Sequence, residues 1–587
     1  MHLRRSSSVL LAALATTCVL ASAASATPPL PFGHPCEAKD GALFCPTADD
    51  AHRVAAFDGV PLDVDVWLPA TGDGPFPTIA MIHGWGGNKT NFGNNADGYS
   101  AQYYARKGYA ILLSTARGFG RSCGTGDSRT TPACDKGWIH LGDSRYEARD
   151  QQQLLGLLVD QGVAKVGALA ATGISYGGGA TLELAYLKDR IHNPDGSYAA
   201  WKSPSGTPLS LSAAWARWPW SDLADALMPN GRTFVASGNP YQFGALPGVD
   251  IEQYQNGLYG LGLANFLAPI GADRGSDLQT WKATIDKGEP YSAQARGYLK
   301  EIHTNHGAGG IPLPAGGPAP LIIQNGWTDD LFPAWQGIRP YLQIRKAAPK
   351  AQVSLQLGDL GHDRGANHPK DGAAFNAQGL ALFNHFLLGK GAAPASGRVT
   401  AYGERCPKNA PSGIGPFTAP TPDALAKRPL ILIPTSPVTG TVTADGGDPA
   451  IAKKLGPLGL NACTPLPAPA LPAAGTVVLE APSAGFTLAG AGEVAVEHGP
   501  ATASAQLVLR LWDVNTKAGT QLLIDRSVSR FPAGKTATFH LNGNAWKFAK
   551  GHLVRLDLLG RDGPAFRPST GSFKVQIKSV TLTLPTR

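Results

Sequence analysis

Between Phe57 and Gly391 the chain alternates continuous apolar runs with stretches of helical periodicity, and this alternation narrows its fold more than any other feature. "TIAMIHG" (78–84), "YAILLSTARG" (109–118), "VGALAATG" (166–173), "PLIIQNG" (320–326) and "VSLQLGDLGH" (353–362) each end at a glycine or a polar residue. Runs that are apolar throughout, rather than at every second position, suit strands covered on both faces, as in a parallel sheet. Between them, "SRYEARDQQQLLGLLVDQG" (144–162) and "AAFNAQGLALFNHFLLGKG" (373–391) carry apolar residues at helical spacing. Such alternation predicts an α/β domain whose functional groups gather at the carboxyl ends of the strands.

Two regions depart from this rhythm. Residues 222–316 are rich in Tyr, Leu, Trp and Gly and include the helical piece "SDLQTWKATIDKG" (276–288), which predicts a cap inserted over the active edge of the sheet. After Gly391, Pro-rich stretches at 406–429 and 463–475 surround the entry to a different region, and 406–475 reads as a linker and domain entry. From Thr476 onward, bursts such as "GEVAVEH", "AQLVLRLWDV" and "HLVRLDLLG" alternate with period two between Gly, Asp and Asn turns. That pattern predicts an antiparallel sandwich over 476–587. In its last burst the apolar phase slips between Ile577 and Val580, which predicts a bulge near Lys578–Ser579. A catalytic domain over 27–405 followed by a sandwich suits a chain of 587 residues, too long for a single core.

The first 26 residues read as a secretory leader, with Arg4 and Arg5, an apolar centre from Val9 to Leu20, and the small residues Ala24-Ser25-Ala26 before a cleavage point near Ala26. That apolar centre is too short for a permanent membrane anchor. Outside the leader six cysteines remain, and neighbours in sequence suggest Cys36–Cys45, Cys123–Cys134 and Cys406–Cys463, as an exported protein permits. The formal charge of +8 is scattered without a basic run, so no nucleic-acid partner is expected.

The stretch "ATGISYGGGATLELA" (171–185) carries the chemistry. A neutral serine hydroxyl is a weak nucleophile that needs a base to take its proton and donors to hold the oxyanion it creates. Ser175 sits in a G-x-S-x-G pattern between a strand-like run and a helix-like one, the setting of a nucleophile elbow. Side chains at Gly173 and Gly177 would collide with the neighbouring strand and helix. The partners of such a serine follow it in the order acid, then histidine. After the run 320–324 comes "NGWTDDLFP", with Asp329 as the orienting acid and Asp330 as its competitor. After the next run comes "GDLGHDRG", where His362 ends the strand; His368 lies farther into the loop, and His83 precedes the serine. The oxyanion donors are expected to be the backbone N–H of Tyr176, which follows the nucleophile, and that of Trp85 in "HGWGGNKTNF". No cofactor is expected. His362, Asp363 and His368 are the candidate ligands of a metal hydrolase, but no H-E-x-x-H accompanies them, so no metal is expected.

With these residues in place, the chain resembles the X-Pro dipeptidyl-peptidase and cocaine-esterase group of α/β-hydrolases. The elbow "GISYGG", "RGFGRSCG" (117–124), "NGWTDD" and the C-terminal "LVLRLWDV" and "GHLVRLDLLGRDGPAFRPS" carry the likeness. The resemblance implies an α/β-hydrolase domain followed by a jelly-roll sandwich, and Ser175, Asp329 and His362 as nucleophile, orienter and base. It further implies a small peptide or ester as substrate, with dipeptide release from X-Pro N-termini ranked first and broad ester hydrolysis second. One departure stands out: where the esterases of this group place an oxyanion tyrosine, this chain has Trp85. A dipeptidyl-peptidase would also need an acid for the substrate's amine, and Asp222, Asp225 and Glu252 are the candidates in the cap. A third reading is a binding protein that keeps the fold but has lost the chemistry.

Overall fold

The computed structural model describes residues 30–93, 98–229, 248–362, 364–456 and 463–587. The predicted leader and Asp363 lie outside them. An eleven-stranded sheet organises the first two thirds of the chain. Its members are β1 (Glu37–Lys39), β2 (Ala42–Cys45), β3 (Val64–Pro69), β4 (Phe76–Ile82), β5 (Ala110–Ser114), β6 (Ala164–Ile174), β7 (Leu211–Arg217), β8 (Leu321–Gly326), β9 (Val353–Gly358), β10 (Val399–Gly403) and β11 (Ile414–Ala419). Their spatial order is β1-β2-β3-β5-β4-β6-β7-β8-β9-β10-β11. The pairs from β5 to β10 are all parallel, whereas β1, β2, β3 and β11 join antiparallel at the two edges. The five apolar runs become β4, β5, β6, β8 and β9; β5, β8 and β9 are buried at every position, as coverage on both faces requires.

Helices α1 (Glu147–Asp160), α2 (Tyr176–Leu187), α3 (Leu223–Leu227), α4 (Glu252–Leu263), α5 (Leu278–Ile285), α6 (Ala293–Asn305), α7 (Trp335–Ala347) and α8 (Pro369–Leu388) follow in chain order. Of these, α3 to α6 lie within the predicted cap. The cap is held on two sides: its Leu223, Leu278, Trp281 and Ile302 share one apolar cluster with Tyr176 from the sheet edge and with Val508, Val528 and Phe566 from the C-terminal region.

That region forms a seven-stranded and a five-stranded sheet, both antiparallel, around a common core of Leu479, Leu507, Leu556, Val575 and Leu582. Its last strand, Lys574–Thr586, carries the predicted bulge: Glu497 pairs with Ser579 and His498 with Ile577, leaving Lys578 unopposed.

The stretch 406–475 is not merely a linker. Within it β11 completes the first sheet, and Arg428–Ile431 and Gly440–Thr443 pair with the last strand of the sandwich. Pro416 and Pro429 mask these strands, because proline is tolerated in edge strands, where its missing N–H costs little. The strand β7, which no apolar run of the sequence marks, lies at the middle of the parallel array. Cys36–Cys45, Cys123–Cys134 and Cys406–Cys463 are each joined by a disulfide.

Candidate active site

Ser175 stands between the end of β6 and the start of α2 with φ 59° and ψ −114°, a conformation an L-residue adopts only under strain, of order 1–3 kcal/mol. The surroundings hold it there: its N–H donates to the carbonyl of Arg217 on β7 at 3.0 Å. The flanking glycines permit the turn. A Cβ on Gly177 would strike the carbonyl of Ile82 at the end of β4, and one on Gly173 would strike Gly177 and that same carbonyl.

Asp329 occupies the loop after β8 and His362 the loop after β9. The Asp329 carboxylate accepts four hydrogen bonds. Oδ1 takes the N–H groups of Leu331 at 3.0 Å and Phe332 at 2.9 Å, and Oδ2 takes the His362 N–H at 3.3 Å and its Nδ1 at 2.8 Å. Because this carboxylate only accepts, the proton belongs on Nδ1, and Nε2 keeps the lone pair. Nε2 lies 2.8 Å from Ser175 Oγ, placed to receive the hydroxyl proton. Gly361, with φ 124°, lets the chain pass the carboxylate; a Cβ there would collide with Asp329. The rings of Phe332 and Trp218 flank the imidazole at 5.3 and 5.8 Å between centroids.

The competitors hold other positions. Asp330 turns away and binds Arg364 through two hydrogen bonds of 2.8 and 2.9 Å. His368 is buried beside Asp359 at 3.1 Å, and its Nδ1 lies 2.7 Å from the Ala410 carbonyl. His83 lies under the loop carrying Trp85: its Nδ1 donates to the Gly84 carbonyl at 2.7 Å and its Nε2 accepts the Ala116 N–H at 2.9 Å. Burial pushes His83 down to about 4, so it is neutral, as that bonding pattern demands. His362 and His368 thus have separate partners, Asp329 and Asp359. Among the described residues Asp143, Glu301 and His306 bring ligand atoms close together, but the Arg145 guanidinium already bridges the two carboxylates at 2.5 Å each.

Tyr176 opens α2, and the first N–H groups of a helix have no acceptor within it. Its phenol points away from Ser175: the hydroxyl donates to Glu147 Oε1 at 2.9 Å and accepts the Gly142 N–H at 2.7 Å. The same carboxylate accepts the N–H groups of His140 and Asp143, and burial raises it to about 7. The Tyr176 hydroxyl is therefore committed to Glu147 and Gly142. The Trp85 indole is likewise committed, donating to the Leu258 carbonyl of α4 at 2.8 Å. Its backbone N–H makes no backbone hydrogen bond among the described residues.

A cavity of about 130 Å³ opens beside Ser175, between the elbow and the cap. Leu223, Leu258, Leu278, Trp281, Ile302 and Phe332 supply most of its wall. The acids offered by the sequence all lie elsewhere. Asp222 binds His303 Nδ1 at 2.8 Å, Asp225 binds Arg339 at 3.0 Å, and Glu252 faces Arg567 at 4.0 Å.

Residues 58–193 match the family described as X-Pro dipeptidyl-peptidase (S15 family). The chain resembles the X-Pro dipeptidyl-peptidase and cocaine-esterase group. Among solved structures, an α-amino acid ester hydrolase superposes with a TM-score of 0.54 at 15% identity, covering 94% of this chain and 98% of its own. A CocE/NonD family hydrolase from Staphylococcus aureus gives 0.55 at 12% identity, over 93% and 94% of the two chains. An aminopeptidase from a marine sediment Thaumarchaeota archaeon gives 0.52 at 14% identity, over 96% and 98%. No curated protein matches the sequence. The family match indicates a hydrolase enzyme, and the likeness to these structures is one of fold.

Several residues around the site escaped the reading of the sequence. Glu147, behind the elbow, sits on α1 among residues that read as an ordinary amphipathic pattern. Arg364 acts through Asp330, 34 residues away along the chain. Only for Glu147 was there a local signal: an acid in the first turn of a helix whose following residues are buried.

Proposed function

We propose that the protein is a secreted serine hydrolase that works through an acyl-enzyme. Ser175 Oγ attacks the substrate carbonyl as His362 Nε2 takes its proton, and Asp329 holds the imidazole and favours the imidazolium that results. The backbone N–H groups of Tyr176 and Trp85 receive the oxyanion. His362 then returns the proton to the leaving group, and water, activated by the same base, releases the acyl group. The observation that carries this reading is the unbroken line from Ser175 Oγ through His362 to Asp329, with 2.8 Å at each step.

The substrate is a small carboxylic ester or peptide, with no nucleic acid or membrane anchor involved. Release of X-Pro dipeptides is the reading that the family match over 58–193 supports; ester hydrolysis of the cocaine-esterase kind is the alternative. The catalytic unit begins after the leader and carries the cap. The sandwich, in jelly-roll wiring, packs against that cap, and the three disulfides suit an exported protein. A fluorophosphonate probe should label the native protein at Ser175 and fail to label Ser175→Ala. A folded native protein that stays unlabelled would favour the binding-protein reading.

A further inference from the structure

Given that Ser175 is the nucleophile and the Tyr176 N–H receives the oxyanion, whatever fixes Tyr176 also bears on the rate. Behind the elbow two consecutive residues, Leu141 and Gly142, take left-handed backbone at φ 60° and 67°. A leucine rarely adopts such a φ, so the turn needs support from outside. The buried carboxylate of Glu147, at the start of α1, supplies it. Its Oε1 accepts the His140 N–H at 2.8 Å and its Oε2 the Asp143 N–H at 3.0 Å, which brackets the turn from both ends. Oε1 also accepts the Tyr176 hydroxyl at 2.9 Å, and that hydroxyl accepts the Gly142 N–H at 2.7 Å. One carboxylate thus ties the residue after the nucleophile to a strained turn. We infer that Glu147 is a positioning residue for the hydrolysis: through the Tyr176 hydroxyl it holds the elbow so that the Tyr176 N–H meets the oxyanion.

Every partner donates to this carboxylate, so the anion satisfies all three, whereas the acid holds a proton in competition with them. Burial opposes the anion and lifts Glu147 to about 7, against the pull of the Arg117 guanidinium. The other titratable groups around it come from three places. Asp143 and His140 flank the turn, Tyr176 and Glu183 belong to α2, and His306, at the end of α6, lies 3.8 Å from Asp143. Arg117 is paired with Asp58 and Asp150, and Asp143 with Arg145. Burial keeps the Glu183 carboxyl and the Tyr176 phenol protonated, and the His140 and His306 rings neutral. Glu147 therefore changes charge near neutrality, and the elbow is held best above that point.

Glu147→Gln keeps the shape of the acid and cannot ionise. With p-nitrophenyl acetate at pH 8.5 it should lower kcat about tenfold, a fraction of the 10²–10³ that loss of an oxyanion donor costs. The ratio of native to variant kcat should close toward one at pH 5.5, where the native residue is itself protonated. His362 is common to both proteins and cancels from that ratio. Tyr176→Phe leaves Glu147 in place and removes only the hydroxyl between it and the elbow. It should lower kcat by a similar factor at pH 8.5 with KM within about threefold, as loss of a transition-state interaction requires. Thermal melts restrict the comparison to folded protein, and if Glu147→Gln does not fold, Tyr176→Phe decides alone. A ratio that is the same at both pH values, or an unchanged kcat in either variant at pH 8.5, would overturn the inference and leave the serine-hydrolase reading intact. If the native protein gives no p-nitrophenol, or if release survives Ser175→Ala, the serine-hydrolase reading itself fails and this inference goes with it.

Discussion

Arg364 grips Asp330 through two parallel hydrogen bonds, and each of the pair stands beside a member of the proposed triad. Asp330 follows Asp329 directly, and Arg364 lies two residues beyond His362. The ion pair therefore clamps together the two loops whose contact orients the imidazole. Its burial makes it dependent on geometry, and the Asp330 carboxylate holds the buried guanidinium in its charged form. Arg364→Met should lower kcat for an ester substrate by about 10–100-fold with little change in KM, because positioning is lost while the pocket remains. Arg364→Lys should recover only part of that loss, since an ammonium cannot supply the paired bonds. Steady-state kinetics on the two variants, with thermal melts to confirm folding, decide it; an unchanged kcat in Arg364→Met would remove the clamp from the mechanism.

The neighbouring aspartates give a second contrast. Asp329→Asn should cost about 10⁴-fold in kcat, as expected when the orienting carboxylate is replaced by an amide that favours the wrong imidazole tautomer. Asp330→Asn keeps a hydrogen-bonding side chain opposite Arg364 and should stay within about tenfold of the native rate. Reversal of that order would assign the orienter's role to Asp330.

How much of this could be read in advance depends on how local each constraint is. The elbow was legible because Gly173, Ser175 and Gly177 satisfy steric demands within five residues, and the order of serine, acid and histidine narrowed the partners to the loops that carry Asp329, Asp330 and His362. The choice between Asp329 and Asp330 was not settled locally, because it is made by Arg364, 34 residues onward. The strand β7 was missed because "LSAAWAR" is short and alanine-rich, and its extended form comes from pairing between β6 and β8. The cap acids could not be ranked for the same reason: their partners, Arg339 and Arg567, lie far away in sequence.

Trp85 offers a test of which of its donors serves the oxyanion. With the indole tied to the Leu258 carbonyl, Trp85→Phe keeps the backbone N–H and loses only the link to α4. KM should rise severalfold as that side of the pocket loosens, while kcat changes by less than tenfold. A fall of 10²–10³ in kcat, the usual cost of deleting an oxyanion donor, would mean that the indole itself does that work. Burst kinetics with a p-nitrophenyl ester separate the two outcomes.

Glu404 links the catalytic sheet to the sandwich and should make stability depend on pH. It is buried just after β10, accepts a hydrogen bond from Asn544 Nδ2 at 2.7 Å, and donates its own N–H to the Ala545 carbonyl at 2.8 Å. Burial, with Asp359 nearby, pushes its carboxyl up to about 8. The folded protein therefore keeps a proton that the unfolded chain releases near 4.5. The stabilisation this group confers is complete below that value and is lost as the pH climbs through about 8. Glu404→Gln imitates the neutral acid and cannot ionise, so it should flatten part of the decline in unfolding free energy across this window. Above pH 8 it should be more stable than the native protein by about 1–3 kcal/mol. Denaturant unfolding at pH 5, 7 and 9 measures this directly; a variant that declines as steeply as the native protein would show that Glu404 is ionised in the fold throughout.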